Sequence, residues 1–324
     1  MIKLFSSRQA YLIFALILVE LFLRVPYYFL PSGPAPSFVF QSAIGGFFNT
    51  INSSKNLSFF LSFFIILGQS LHLIYLFEKH EVLYSSTFLP ALFYIIICSC
   101  TPSFGFLSPE LVSMSFLLFS LNEIFSMYKS GRERQHTFNA ALYLSLGSLV
   151  YTNLIFLFPA MLFAVTFFKF PSWRDYLVSI FGFLSCLYFA FLYYYWNDQI
   201  MQFNELFFDS PMRLKFSILS SHRGVIIIFG LWLLIMFLGM LKLYKNFYKN
   251  IIKTRLINQI LFLVTFLTTF VLLYKNEQSP FTFLIMLIPL CFFISYFFLG
   301  RRAYWWKELI AVILVSVVMY FRFV

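Results

Sequence analysis

Long apolar runs recur along the whole chain, separated by short polar segments, and they constrain its fold more than any other feature. A helix needs about 20 apolar residues to cross the hydrocarbon core of a bilayer, which is roughly 30 Å thick. The pattern therefore predicts an all-α, polytopic membrane protein. The runs lie near residues 10–30, 58–77, 85–101, 111–128, 138–168, 176–196, 224–244, 256–274, 280–299 and 308–324.

The composition excludes a water-soluble globular domain. Only 11% of the 324 residues are charged, whereas 61% are hydrophobic and 49 are phenylalanine. Soluble domains carry roughly 25% charged residues. The net charge of +11 would suggest a nucleic-acid partner in a soluble protein, but no nucleic-acid motif occurs. Here basic loops are better explained by membrane topology and contact with lipid headgroups. We expect the lipid bilayer as a partner and no nucleic acid.

The fifth apolar run, 138–168, is long enough to be read in two ways, as one tilted helix or as two short ones. Charge favours a split near Tyr151–Asn153, which gives about 11 transmembrane helices with the N-terminus inside. Sixteen basic residues then face the cytoplasm, six lie outside and Arg24 is in the membrane. Without the split, the later basic loops would lie outside, against the positive-inside rule. We therefore predict a cytoplasmic N-terminus and a C-terminus on the outer side of the membrane.

Residues 1–324 form a single membrane domain in this interpretation, without an added soluble domain or a cleaved signal peptide. Two outer segments are long. The segment 37–57 has apolar residues at helical spacing and predicts a short helix in the membrane interface. The segment 197–224 carries seven ionisable side chains, among them Asp198, Glu205 and Asp209.

Glu20 and Arg24 are the most unusual residues of the first run, because a charge near the bilayer centre costs about 2.5–3.5 kcal/mol on insertion scales. They lie four residues apart, on the same face of a helix. In one interpretation they form an intramembrane pair and Arg24 extends outward. In the other, Arg24 reaches an outer cavity and binds the phosphate of a lipid.

Other polar residues in the apolar runs have a structural and a functional interpretation. Gln69 and His72 lie three apart in the second run, and Asn153 lies in the fifth. Such residues commonly join helices by hydrogen bonds, or they line a cavity. Glu110 follows Pro109 at the outer end of the fourth run; it is either a favourable acid in the first turn of a helix or a catalytic group. No metal-site or cofactor motif occurs, and we expect neither.

The order of motifs resembles the C-type (GT-C) glycosyltransferases, which use polyprenyl-phosphate sugars as donors. The resemblance covers roughly residues 10–200 and rests on Arg24-Val25-Pro26 followed by Pro31-Ser32, on Pro109-Glu110, and on GSLVYTNLIFLFPAMLF. It implies a GT-C-like core at 1–200, with additional spans at 201–324. The stretches TPSFGFLSPELVSMSFLLFSLNEIF and KFPSWRDYLVSIFGFLSCLYF also resemble uncharacterised Phe-rich inner-membrane proteins of Bacteroidota. This resemblance implies a location in the bacterial inner membrane, with the C-terminus in the periplasm, and no activity.

The first outer loop departs from the GT-C pattern. That family carries a catalytic acid there, yet no Asp or Glu occurs between Glu20 and Glu78. General-base catalysis needs a group within hydrogen-bond reach of the proton. We therefore expect a non-catalytic, GT-C-like subunit or scaffold of an envelope assembly for secretion or glycolipid handling, with protein partners in the membrane. The alternatives are an active transferase that uses Glu110 and a polyprenyl-phosphate lipid, and, third, a transporter.

Topology gives the first testable prediction. Reporter domains fused after Tyr248 and after Tyr304 should both signal a cytoplasmic location, because the split run returns the chain to the inner side. The measurement is the ratio of a cytoplasmic to a periplasmic reporter activity at each site. A periplasmic signal at either site would mean that the fifth run crosses only once.

Overall fold

The described part of the protein is all-helical, with no strand. A computed structural model describes residues 5, 9, 11–29, 49–51, 54–100, 105–168, 172–209, 223–274, 280–299 and 305–323. Short 3₁₀ segments occupy Thr152–Leu157, Phe247–Lys249 and Pro280–Met286, and a π-helical turn occupies Glu205–Asp209. The α-helices are α1 (Tyr11–Phe29), α2 (Lys55–Lys79), α3 (Leu89–Cys98), α4 (Pro109–Ser126), α5 (Glu133–Val150), α6 (Phe158–Phe168), α7 (Trp173–Trp196), α8 (Ile200–Asn204), α9 (Arg223–Asn246), α10 (Ile252–Tyr274), α11 (Leu287–Phe298) and α12 (Trp305–Phe323).

Among the described residues, four helical segments are long and apolar enough to cross a membrane: Lys55–Lys79, Trp173–Trp196, Gly230–Lys249 and Ile252–Leu272. Their outward faces carry large apolar side chains, including Phe64, Phe181, Phe237 and Phe266, each more than half exposed. Contiguous apolar surface of this kind is rare on a soluble monomer. An apolar outer surface is expected where the hydrocarbon core of a bilayer surrounds the protein.

Two short helices form the centre of the bundle. All ten residues of α3 are buried, and so are nearly all of α11. The two helices pack against each other, with the rings of Phe93 and Phe298 stacked at 5.1 Å between centroids. At 1.5 Å per residue, α3 is only about 15 Å long, half the thickness of a hydrocarbon core.

The predicted spans at 85–101 and 280–299 therefore need correction. Residues 81–88 are turns rather than helix, and helix α3 begins only at Leu89, with Pro90 in its first turn. In the second span, a 3₁₀ segment replaces α-helix up to Met286. Both segments are apolar all round because protein surrounds them, which the sequence alone does not distinguish from lipid.

The fifth apolar run is broken where the sequence predicted. Helix α5 ends at Val150, Tyr151 is extended, and a 3₁₀ segment leads into α6 at Phe158. The Nε atom of Arg134, at the start of α5, lies 3.1 Å from Oδ1 of Asp175, at the start of α7. The chain therefore leaves along α5 and returns along α6 to the same end of the bundle.

The two predicted outer segments are only partly described. In the segment 37–57, residues 37–48 and 52–53 lie outside the described residues, and α2 already begins at Lys55. The segment 197–224 is not a continuous loop, because α8 and the π-helical turn occupy residues 200–209. Its residues 210–222 also lie outside the described part.

Helices approach most closely at glycines. A Cβ atom at Gly182 of α7 would lie 2.8 Å from the backbone oxygen of Phe138 in α5. A Cβ atom at Gly239 of α9 would overlap the carbonyl oxygen of Phe293 in α11. Because both obstacles are backbone atoms, neither can rotate away as a side chain would.

Gly239→Ala should therefore lower stability. Overpacking typically costs 1–3 kcal/mol, and the clash lies at the α9–α11 contact that covers the core. Gly230→Ala is the matched control in the same helix, because nothing lies within 4 Å of its Cβ position. Thermal unfolding in detergent should show a lower midpoint for Gly239→Ala only. Equal midpoints for the two variants would contradict the close packing of α9 on α11.

Candidate functional site

Arg24 lies inside the bundle rather than at its surface. Its side chain is 1% exposed and that of Glu20 is 0% exposed. The Nη1 atom of Arg24 lies 3.4 Å from Oε1 of Glu20, one turn earlier in α1. The two predicted partners are thus adjacent, and both charges are removed from solvent.

The guanidinium also binds two groups that are distant in the sequence. Its Nη2 atom donates to Oγ of Ser62 in α2 at 2.8 Å and to the carbonyl oxygen of Gly105 at 2.6 Å. The ring of Phe59 lies 5.4 Å from Cζ, which adds a cation–π contact. Arg24 therefore ties α1 to α2 and to the segment that leads into α4.

A second hydrogen bond supports the same junction. The backbone N–H of Leu107 donates to Oγ of Ser58 at 2.9 Å, and the hydroxyl of Ser62 lies 2.7 Å from the carbonyl oxygen of Gly105. The contacts of Ser58, Ser62 and Gly105 thus hold the backbone before α4 against α2. Sequence reasoning missed Ser58, Ser62 and Gly105, because single serines and glycines are common in membrane helices and their spacing carries no signal.

Arg24 contacts one of the two carboxylate oxygens of Glu20. No described residue supplies a hydrogen-bond partner to its buried Oε2 atom. Tyr94 and Cys98 of α3 lie close enough to interact with it electrostatically, and the hydroxyl of Tyr94 donates to Oε1 of Gln69 at 2.6 Å. The centre of the bundle thus holds a small polar network inside an apolar shell.

Glu110 is in the first turn of α4, as the sequence predicted, and its side chain is 6% exposed. The side chain of Ser108 caps the same helix by accepting from the N–H of Leu111 at 3.2 Å. Neither of the two pockets described below is lined by Glu110 or Arg24. The predicted outer cavity also involves residues 31–48, which lie outside the described part.

Gln69 and His72 line a pocket of about 300 Å³ between α2 and α4, with Gly68, Ser115 and Phe119. The amide of Gln69 donates to the carbonyl oxygen of Leu111 and to Ser115, each at 2.7 Å. Within the described residues, the buried Nε2 of His72 has no hydrogen-bond partner.

Asn153 lies elsewhere. It is fully buried at the break between α5 and α6, where its amide donates to the hydroxyl of Tyr151. It lines neither described pocket. The structure therefore brings Gln69 and His72 together and leaves Asn153 at a separate backbone junction.

A polar cluster at the opposite end of α2 was not predicted as a site. Asn122 joins α4 to the end of α2, because its Oδ1 lies 3.2 Å from Nε2 of His80 and 3.1 Å from Nζ of Lys79. Burial lowers the pKa of His80 to about 4, although its bond to Asn122 acts in the opposite direction. His80 is therefore neutral at pH 7 and serves as a helix-joining group.

Comparison with known proteins gives no relative: no family model, no curated protein and no solved structure matches the chain. The resemblance to GT-C glycosyltransferases therefore rests on the short motifs of the sequence.

The geometry predicts strong coupling between Glu20 and Arg24. Arg24→Gln should cost about 3–5 kcal/mol, because it leaves a buried carboxylate without its counter-charge. Glu20→Gln in the same chain should recover about 1–3 kcal/mol of that loss. The measurement is a double-mutant cycle on unfolding free energy in mixed micelles.

The control cycle pairs Glu20→Gln with Arg132→Gln, a neutral substitution at an exposed arginine before α5. Its two effects should add within about 0.5 kcal/mol. If the Glu20–Arg24 cycle is equally additive, the two residues are not partners.

Proposed function

We propose that the chain is a multi-pass protein of the bacterial inner membrane, with about 11 membrane segments, a cytoplasmic N-terminus and a periplasmic C-terminus. Contacts between distant segments support this topology. Arg24, Ser62 and Gly105, all assigned to the outer half, meet one another. Arg134 and Asp175, both assigned to the inner side, are also in contact.

A third contact supports the same sidedness. The hydroxyl of Thr254, after the predicted inner loop 245–253, donates to the backbone oxygen of Glu81 at 3.3 Å. Glu81 follows the inner end of the second span. The Arg134–Asp175 and Thr254–Glu81 contacts join segments before and after the fifth run, and the split puts both members of each contact on one side of the membrane.

The proposed function is that of a non-catalytic, GT-C-like membrane subunit or scaffold in a cell-envelope assembly for secretion or glycolipid handling. The observation that carries the proposal is that the Arg24 side chain is buried and hydrogen-bonded. This cation, the candidate for binding a lipid phosphate, is buried and bound by Glu20, Ser62 and Gly105. These contacts join α1 to α2 and to the segment before α4, which gives Arg24 a structural role.

The first outer loop supports the same proposal. Between Pro31 and Leu57 it contains no carboxylate, and hydroxyl and amide groups do not accept a proton at neutral pH. A scaffold requires only surface, and in the segments Trp173–Trp196 and Gly230–Lys249 only 22% and 28% of the apolar stretch is buried inside the protein. These faces are available to lipid or to the helices of partner proteins.

An active polyprenyl-phosphate-sugar transferase is the alternative, and Glu110 would be its acid. Glu110 is nearly buried at a helix N-terminus, where the helix dipole stabilises its anionic form. A transporter is the third possibility; Glu20, with one buried carboxylate oxygen unpaired in the described part, would be its central residue.

Glu110→Gln distinguishes the scaffold from the enzyme. A scaffold should tolerate the substitution, because amide and carboxyl have nearly the same shape. The measurement compares growth under envelope stress for the variant, a full deletion and Glu205→Gln, an exposed control. We expect a phenotype for the deletion only, together with a stoichiometric protein partner after gentle purification. A Glu110→Gln strain that reproduces the deletion while the protein stays abundant and folded would contradict the scaffold.

A further inference from the structure

A second pocket, at the end of α2 that carries Lys79, has no role in the proposed function. Its volume is about 470 Å³, within the range of small-ligand sites. Three parts of the chain form it: the end of α2 with the turns after it, the connection between α9 and α10, and Tyr296 of α11. We call it the α2–α10 pocket.

The pocket wall contains both signs of charge. Glu78 and Glu81 contribute carboxylates from the α2 side, and Lys249 contributes an ammonium from the opposite connection. Within the described residues, neither the Glu81 carboxylate nor Lys249 has an ion-pair partner. Two carboxylates would repel a simple anion, and Lys249 would repel a simple cation. The arrangement favours a ligand that carries both charges.

Two exposed hydroxyl groups line the pocket. They belong to Ser85 and Ser86, in the turns after α2. A serine hydroxyl can donate one hydrogen bond and accept two, so both side chains can bind a ligand oxygen in the pocket.

The cap at the end of α2 turns the chain around the pocket. Glu81 has φ of +53°, the left-handed conformation that is common directly after the C-cap of a helix. The N–H of Glu81 donates to the carbonyl oxygen of Glu78, and the N–H of Val82 donates to that of Phe77. The hydroxyl of Thr254 donates to the carbonyl oxygen of Glu81, so the connection before α10 is joined to this cap.

The position of the pocket indicates the kind of ligand. It lies where α2 ends and α10 begins, and its deeper wall contains Ile74 and Phe77. Tyr84 and Tyr296 meet edge to face at 6.1 Å beside it, and tyrosine is enriched at the headgroup level of membranes. A polar cavity with an apolar base at this level fits a lipid headgroup whose chains extend toward the helices.

We infer that the α2–α10 pocket binds the headgroup of an amine-bearing zwitterionic phospholipid, of the phosphoethanolamine class. The primary ammonium lies between Glu78 and Glu81, where it can donate three hydrogen bonds. The phosphate lies toward Lys249 and the hydroxyls of Ser85 and Ser86. The inference rests on the proposed membrane location, which the reporter fusions test separately; it does not depend on the scaffold role.

The test is native mass spectrometry of the full chain, released from nanodiscs that contain equal amounts of phosphatidylethanolamine, phosphatidylcholine and phosphatidylglycerol. We expect phosphatidylethanolamine to be retained at least tenfold over the other two. Phosphatidylcholine lacks ammonium N–H donors for the carboxylates, and phosphatidylglycerol lacks the ammonium. Equal retention of the three lipids would overturn the inference.

Variants locate the site. Glu81→Gln, Lys249→Ala and Ser85→Ala should each reduce phosphatidylethanolamine retention several-fold, whereas Glu205→Gln and Lys245→Ala, which are exposed and outside the pocket, should not. Thermal unfolding must show that the variants remain folded. Unchanged retention in all three pocket variants would overturn the inference. Full competition by soluble glycerophosphoethanolamine at equal concentration would overturn the assignment to a lipid.

Discussion

A guanidinium removed from water must be surrounded by acceptors, and this constraint organises one half of the molecule. Arg24 obtains a carboxylate from its own helix, a hydroxyl from α2 and a carbonyl from the segment before α4. The buried carbonyl oxygen of Gly105 would be costly without a hydrogen bond in an apolar interior. The contact with Arg24 therefore satisfies the hydrogen-bonding needs of both groups. The position of α4, and with it Glu110, depends on this junction.

The other half of the molecule is held by the same principle at a helix end. The last carbonyls of a helix have no partner within it. The ammonium of Lys242 in α9 donates to the carbonyl oxygens of Tyr296, Phe297 and Leu299 at the end of α11, and Lys307 donates to that of Phe298. Short helices such as α11 can end inside the protein because basic side chains satisfy their carbonyls.

The sequence was sufficient to predict those features of the fold that depend on long apolar runs or on the uneven distribution of basic residues. The apolar runs predicted an all-helical chain, and the basic asymmetry predicted the break at Tyr151, which the Arg134–Asp175 contact requires. The short length of α3 was not predictable, because a helix surrounded by protein and a helix surrounded by lipid have equally apolar sequences. Nor were Ser62 and Gly105, which lie 38 and 81 residues from Arg24, or the pocket formed by turns from distant parts of the chain.

The structural role of Arg24 is tested most directly by hydrogen–deuterium exchange of the folded protein. Arg24→Lys keeps the charge but cannot reach several acceptors in the fixed geometry of a guanidinium. The segment 105–111, whose Leu107 N–H is bonded to Ser58, should exchange slowly in the wild type and markedly faster in Arg24→Lys. Exchange within α5 should not change. Equal protection of residues 105–111 in both proteins would show that Arg24 does not hold this junction, and would contradict the account.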